Sequence, residues 1–230
     1  MAFTISRLTE DDIAGAVSVI QEAFKEDPYN LWIYNDRSKL NLVRNSVSLG
    51  IRCQWGIRNG LFYVAKDSES QRILGVAMWL PPKSPGTPET WAEWLDGWKM
   101  WIQQVGMNIW YGRGGLNVKR YYIWKDRQAE AQSEIWTDSR GYFFLNIMVV
   151  HPDAQGIGKA LAKEVTNVAD AEGQRCYLES SRDIPNMKIY ESFGFHFEKK
   201  MVCDDEGDTC NIYCMVREPQ AELKGSKKDV

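Results

Sequence analysis

Apolar and polar positions along the chain recur with two different periods, and the switches between them mark out the elements. Residues 3–8 alternate singly, as a short strand does, and Thr9 then stands as N-cap of a helix with Glu10, Asp11 and Asp12 in its positive first turn. Ile13, Val17, Ile20 and Phe24 recur at spacings of three or four and form that helix's buried stripe. Pro28 is expected to end it, leaving DPYNLWIYND as an aromatic loop suited to the wall of a pocket. A second helix is expected over 37–52, then strands over 61–65 and 74–80 joined by a polar turn. Gly75, inside the second of these strands, predicts close approach of another backbone.

The stretch 142–150, YFFLNIMVV, is free of charge and rich in aromatic and β-branched types, so it reads as a buried strand. Beyond His151 and Pro152 a helix begins, with Gly156 and Gly158 at its entrance and Ile157, Leu161, Val165 and Val168 on one stripe. Strand, glycine turn and helix N-terminus together make an anion site. The first-turn N–H groups point outward and the helix dipole favours negative charge, so a phosphate or pyrophosphate is the natural ligand. Residues 174–181 read as a further strand, RDIPNMKIY as a loop entering a short helix closed by Gly194, and 195–202 with 209–216 as a hairpin around DDEGD. The polar stretch 218–230 is expected to be a disordered tail.

Composition changes this picture at one place. The segment 83–140 holds seven of the ten tryptophans and two expected helices, 88–105 and 116–131, separated by YGRGG. Trp91, Trp94, Leu95, Trp98, Trp101 and Ile102 lie at helical spacing on one broad face, either as a satellite core packed on the domain or as the lining of an acceptor pocket. No strand precedes YGRGG, so it reads as a helix-to-helix turn rather than a phosphate loop. Elsewhere, 28 basic against 31 acidic residues, net −3, leave no global footprint for nucleic acid or an anionic membrane. No apolar run approaches the roughly 18 residues of a membrane span, and the N-terminus lacks the apolar core of a secretory signal, so a cytoplasmic location is expected. Five scattered cysteines suit a reducing compartment, and with only His151 and His196 available no metal is expected.

MVVHPDAQGIGKAL, followed by a strand, a loop and NMKIYESFGF, resembles the acyl-CoA-binding motifs of the GNAT superfamily of N-acyltransferases, and the resemblance extends over nearly the whole chain. It implies an α/β (α+β) fold with a mixed, mostly antiparallel central sheet, splayed strands and flanking helices. The domain would span 1–217, with 83–140 as a tryptophan-rich helical insertion. It further implies acetyl-CoA as cosubstrate. Main-chain groups of Ile147, Met148, Val149 and Val150 would hold its pantetheine arm, and N–H groups around Gln155, Gly156, Ile157, Gly158, Lys159 and Ala160 its pyrophosphate. Lys159 or Lys163 could pair with a phosphate, and Asn186 could contact CoA. Tyr190 matches the family tyrosine that protonates the leaving thiolate, and Glu179, on the strand QRCYLESS, is the best single candidate for the base; His151 and His196 are weaker ones. Asp153 stands where the family has Gln or Arg, and the approach from Pro152 is short.

The function expected from this resemblance is transfer of an acetyl group to a small-molecule amine. Acetylation of a protein N-terminus or lysine and a degenerate CoA-binding module without turnover are the alternatives. The terminal hairpin and the exposed aromatics are candidate surfaces for a homodimer.

Overall fold

A computed structural model describes residues 2–84, 86–154 and 156–220. The expected tail lies, from residue 221, outside the described residues. Seven strands, β1 (Phe3–Arg7), β2 (Leu61–Asp67), β3 (Ile73–Leu80), β4 (Phe143–Val150), β5 (Cys176–Ser180), β6 (His196–Asp205) and β7 (Asp208–Arg217), form one sheet in the order β1-β2-β3-β4-β5-β7-β6. Every pairing is antiparallel except β4 with β5.

Among the described residues seven α-helices accompany the sheet, α4 packed on α3 and the others on its faces: α1 (Ile13–Phe24), α2 (Pro28–Ile33), α3 (Leu42–Asn59), α4 (Trp91–Tyr111), α5 (Val118–Ile135), α6 (Ile157–Glu172) and α7 (Asn186–Glu191). On one face, α6 packs through Ile157, Leu161, Val165 and Ala169, and α7 through Met187 and Tyr190, against a core that includes Leu74, Trp79, Leu145 and Leu178. On the other, α1 and α3 cover the first half of the sheet through Val17, Ile20 and Cys53, while α2 and α5 cover the second half through Trp32, Ile33, Ala131 and Ile135. All five cysteines are buried and free, and burial pushes the Cys210 thiol up to about 12 and Cys214 to about 11, as suits packing groups.

Gly75 meets its expectation: a Cβ there would stand 2.8 Å from the Val149 carbonyl oxygen and 3.3 Å from Leu161 Cδ1. Pro28 does not. It begins a helix rather than ending one, because Asp27 accepts a hydrogen bond from the Asn30 N–H (3.1 Å) as N-cap and proline fits the first helical position, where no N–H is needed. The expected aromatic loop is therefore largely α2. The tryptophan-rich segment divides. Trp124 and Trp136 pack against the core beneath α5, whereas Trp91, Trp94, Trp98 and Trp101 of α4 remain between 44% and 80% exposed, so α4 is not a satellite core.

Candidate active site

A single bulge opens the sheet. Ile147 pairs with Met78 and Leu145 with Trp79, so Asn146 is an extra residue on β4 with no partner on β3. The inward and outward alternation slips by one there: Leu145 and Met148 both face α6, while Ile147 and Val149 face α1. On its other side β4 pairs with β5 at three rows only, Phe143 with Cys176, Phe144 with Tyr177 and Leu145 with Leu178. Beyond Leu145 the strands part. Among the described residues, the edge of β4 from Asn146 to Val150 that faces β5 then carries backbone donors and acceptors with no strand beside them, a template onto which an extended ligand can add. This is the splay expected for Ile147, Met148, Val149 and Val150.

The far end of that edge runs into the anion site. Gly156, at φ 82°, is the N-cap of α6, and no side chain caps the helix. Among the described residues, chain neighbours apart, nothing lies within 4 Å of where a Gly156 Cβ would be, and at Gly158 a Cβ would touch Val150 Cγ2 (3.5 Å) and Phe193 Cζ (3.6 Å), so β4, α6 and the end of α7 converge here. The N–H groups of Ile157, Gly158 and Lys159 are the first-turn donors that a helix leaves without an internal acceptor. Ala160 is a correction to the expected set: its N–H already donates to the Gly156 carbonyl (3.3 Å), the first bond of the helix. Gln155 lies outside the described residues. Lys159 and Lys163 are exposed.

Asp153, which like charge would set against a pyrophosphate, faces away into solvent, its side chain 83% exposed and 3.4 Å from His151 Nδ1. Arg72 on the β2–β3 turn donates to His151 Nε2 at 2.6 Å, so this imidazole links two surface charges. His196 is exposed on the edge strand β6 beside Glu198 (3.4 Å), remote from the parted strands in the sheet order.

Tyr190 rises from α7 on the α6 face, half-buried, with its ring edge-on to Phe193 and Phe195 at 6.0 and 6.2 Å. Burial, and then the negative charge of Asp27, push its phenol up to about 12, so it keeps its proton throughout the neutral range. Glu179 occupies the opposite face. It is the first β5 residue beyond the last row shared with β4, and its carboxylate accepts from Gln128 Nε2 (2.7 Å), Gln132 Nε2 (3.2 Å) and the Tyr177 hydroxyl (3.0 Å). Burial raises its pKa despite these donors. Tyr190 and Glu179 thus stand on opposite faces of the sheet, Glu179 because alternation along β5 turns it away from the face of Leu178. Asn186 opens α7, its Nδ2 donating to Ser180 Oγ (3.2 Å).

Sequence reasoning missed Asp27. Its carboxylate accepts from Ser181 Oγ as well as from Asn30, and Arg182 donates to the Glu26 carbonyl, so the α1–α2 connection is pinned to the end of β5. The signal was present: Asp followed by Pro is the start of a helix as well as the end of one. Over the Glu179 face, Tyr29 of α2 meets Trp124 of α5 at 5.2 Å, and buried Arg120 ties α5 to the Trp32 carbonyl (2.9 Å), Asp205 (2.8 Å) and Asp208 (2.7 Å). Two further concavities lie apart from these residues. One of about 410 Å³ is walled by Asp36, Lys39, Arg113 and Gly115, and one of about 560 Å³ runs between α3 and α4 along Val47, Ile51, Met107 and Trp110. Trp110 is the α4 tryptophan that walls a cavity, and that cavity does not touch the parted strands.

No family model matches the chain. It is 22% identical over 228 residues to an uncharacterised N-acetyltransferase of Schizosaccharomyces pombe, covering 96% of this chain and 85% of that one. Among solved structures it is similar to a histone acetyltransferase HPA2-related acetyltransferase of Corynebacterium glutamicum, with a TM-score of 0.57 at 22% identity over 97% and 99% of the two chains. It is also similar to an acetyltransferase of Salmonella typhimurium solved with its cofactor acetyl-CoA, with a TM-score of 0.50 at 15% identity over 100% and 99%. The sheet order, the strand pair that parts at a bulge, the glycine-led helix and these likenesses show that the chain has the fold of the GNAT acetyltransferases.

Proposed function

We propose that this protein transfers the acetyl group of acetyl-CoA to the amine of a small-molecule acceptor. The observation that carries the reading is the unpaired edge of β4 leading directly to the first turn of α6. An extended pantetheine arm and a pyrophosphate would occupy these two features in the order in which CoA presents them. The residues present fit the group: Ile147 to Val150 offer main-chain partners, Ile157, Gly158 and Lys159 offer N–H donors, and neither Gly156 nor Gly158 obstructs the approach. Acetyl-CoA supplies an activated thioester. Asn186 borders the same cleft through Ser180.

Tyr190 serves as the general acid. A phenol held near 12 is a weaker acid than a thiol of about 8.5. It therefore stabilises the departing sulfur mainly by hydrogen bonding, and passes its proton only as another reaches it. Glu179 is the candidate base, since burial raises its proton affinity above that of an ordinary carboxylate. A small acceptor is favoured because α2 and α5 close over the Glu179 face through Tyr29, Trp124 and the Arg120 ion pairs, whereas a peptide chain needs an open groove.

Calorimetric titration with acetyl-CoA, followed by thiol release across a panel of small amines, tests the proposal. Binding, turnover with at least one amine, and a fall of about 10²-fold or more in kcat for Tyr190→Phe are expected. Absence of acetyl-CoA binding at millimolar concentration would overturn it, and binding with no thiol release from any amine would leave a CoA-binding module.

A further inference from the structure

Helix α4 is mounted with its polar side against the protein and its apolar side outward. Asp96 accepts from Arg58 Nε (2.8 Å) and Asn59 Nδ2 (3.2 Å), Gln104 exchanges bonds with Ser48 (3.1 and 3.3 Å), and Asn108 accepts from Arg44 (2.8 Å). All four partners lie on α3. Trp91, Trp94, Leu95, Trp98, Trp101, Ile102 and Ile109 point the other way and are 44–80% exposed. Amphipathic helices at a protein surface ordinarily do the reverse.

The outward positions follow a seven-residue repeat. Trp91 and Trp98 are seven apart, as are Trp94 and Trp101, and Leu95, Ile102 and Ile109 form a third such series, while the next positions of the first two series, half-buried Val105 and Asn108 bonded to Arg44, close the stripe. These are the a, d and e positions of a heptad, the pattern of a helix that packs along another helix. The four leading tryptophans already interlock, with centroids 5.7, 5.8 and 5.4 Å apart along the ladder, so their rings lose little freedom on being covered. At about 200 Å² per large side chain, the seven exposed residues present roughly 850 Å². That exceeds the ~300–600 Å² of the largest patch on an ordinary monomer and matches the ~800 Å² each partner contributes to a standard interface.

We propose that this face is a dimer interface: the α4 helices of two copies of this chain pair antiparallel across a two-fold axis near Trp98 and Trp101. A two-fold contact needs one self-complementary patch, and the apolar stripe that runs from Trp91 to Ile102 is self-complementary. A lipid surface is the poorer partner. Interfacial helices carry rows of Lys and Arg on the polar face, whereas the charged residues of α4 are Glu93, Asp96 and Lys99, and its polar side is occupied by α3. The helix is about 31 Å long, enough for three heptads on each copy.

Sedimentation velocity of the full chain at micromolar concentration is expected to give twice the 26.5 kDa chain mass, and the double variant Trp98→Glu, Trp101→Glu the single mass with an unchanged far-ultraviolet circular dichroism spectrum. Both rings are about half exposed and belong to none of the packed cores, so the variant is expected to keep its fold. As a second measurement, Ile102→Cys is expected to form a covalent dimer under mild oxidation, the native thiols all being buried. A wild-type chain of 26.5 kDa, a double variant that stays dimeric, or flotation of the wild type with phosphatidylcholine vesicles that the double variant loses would each overturn the proposal.

Discussion

Gly75→Ala tests the link between core packing and the ligand edge. The new Cβ would sit 2.8 Å from the Val149 carbonyl oxygen, about 0.6 Å inside the 3.4 Å at which ordinary contact begins, and 3.3 Å from both Leu161 Cδ1 and Val150 Cα. The Leu161 methyl can turn aside, but Val149 and Val150 are backbone of β4, so the strand must move. Overpacking of this kind typically destabilises by ~1–3 kcal/mol, and a backbone obstacle places the expectation at about 2–3 kcal/mol. The displacement also has a direction. Pushed away from β3, β4 moves toward β5 and narrows the gap beside Ile147 to Val150, so affinity for acetyl-CoA falls together with stability. Urea denaturation and calorimetric titration on the same variant report the two effects. Wild-type midpoint and wild-type affinity together would show that the close approach of β3 and β4 constrains neither, and the reasoning would fail.

Two further expectations concern charge. Asp170 receives both terminal nitrogens of Arg217 at 2.7 Å and the Gln220 N–H at 2.7 Å, and Arg217 is nearly fully buried. Burial alone would raise the Asp170 pKa, but the Arg217 hydrogen bonds hold it below the usual value, so the clamp's stability is present above about pH 4 and is lost as acid protonates the folded carboxylate. Asp170→Asn is expected to lose ~3–5 kcal/mol in urea at neutral pH by stranding a buried guanidinium, and Asp170→Leu with Arg217→Met to recover most of it; a loss under ~1 kcal/mol for the single change would refute this. For Tyr190, a phenol raised to about 12 predicts that kcat climbs as the acceptor amine deprotonates and shows no descending limb through pH 10. A fall with an apparent pKa near 10 that disappears in Tyr190→Phe would contradict it.

Much of the fold was legible because its signals are local. The charge-free run before His151 and the stripe through Ile157, Leu161 and Val165 fixed the strand, turn and helix that hold the anion site, and Gly75 announced its own neighbour. What stayed hidden depends on context. Asp27 and Pro28 are equally good as the end of one helix and the start of the next, and only the Asn30 and Ser181 hydrogen bonds decide between them. Helical spacing located α4 but says nothing about which side of a helix is turned inward, and here polar bonds to α3 reverse the usual choice. The splay came from family resemblance; no residue type marks Asn146 as a bulge, because a bulge exists only in the register of two strands. On β5, Tyr177 and Glu179 share a face and touch at 3.0 Å, whereas Ser181 lies past the strand end and turns to Asp27, which no strand pattern could show.

The three rows that join β4 to β5 have a mechanical meaning. They seam together two plates, β1 to β4 with α1 and α3 on one side, and β5 to β7 with α2 and α5 on the other. Across the seam run α6, which packs on both plates, and the Asp170–Arg217 clamp that fastens α6 to β7. Amide exchange is therefore expected to resolve two units with different opening free energies, and a molecule added along the free edge of β4 would act as a missing rib, slowing exchange in both plates at once.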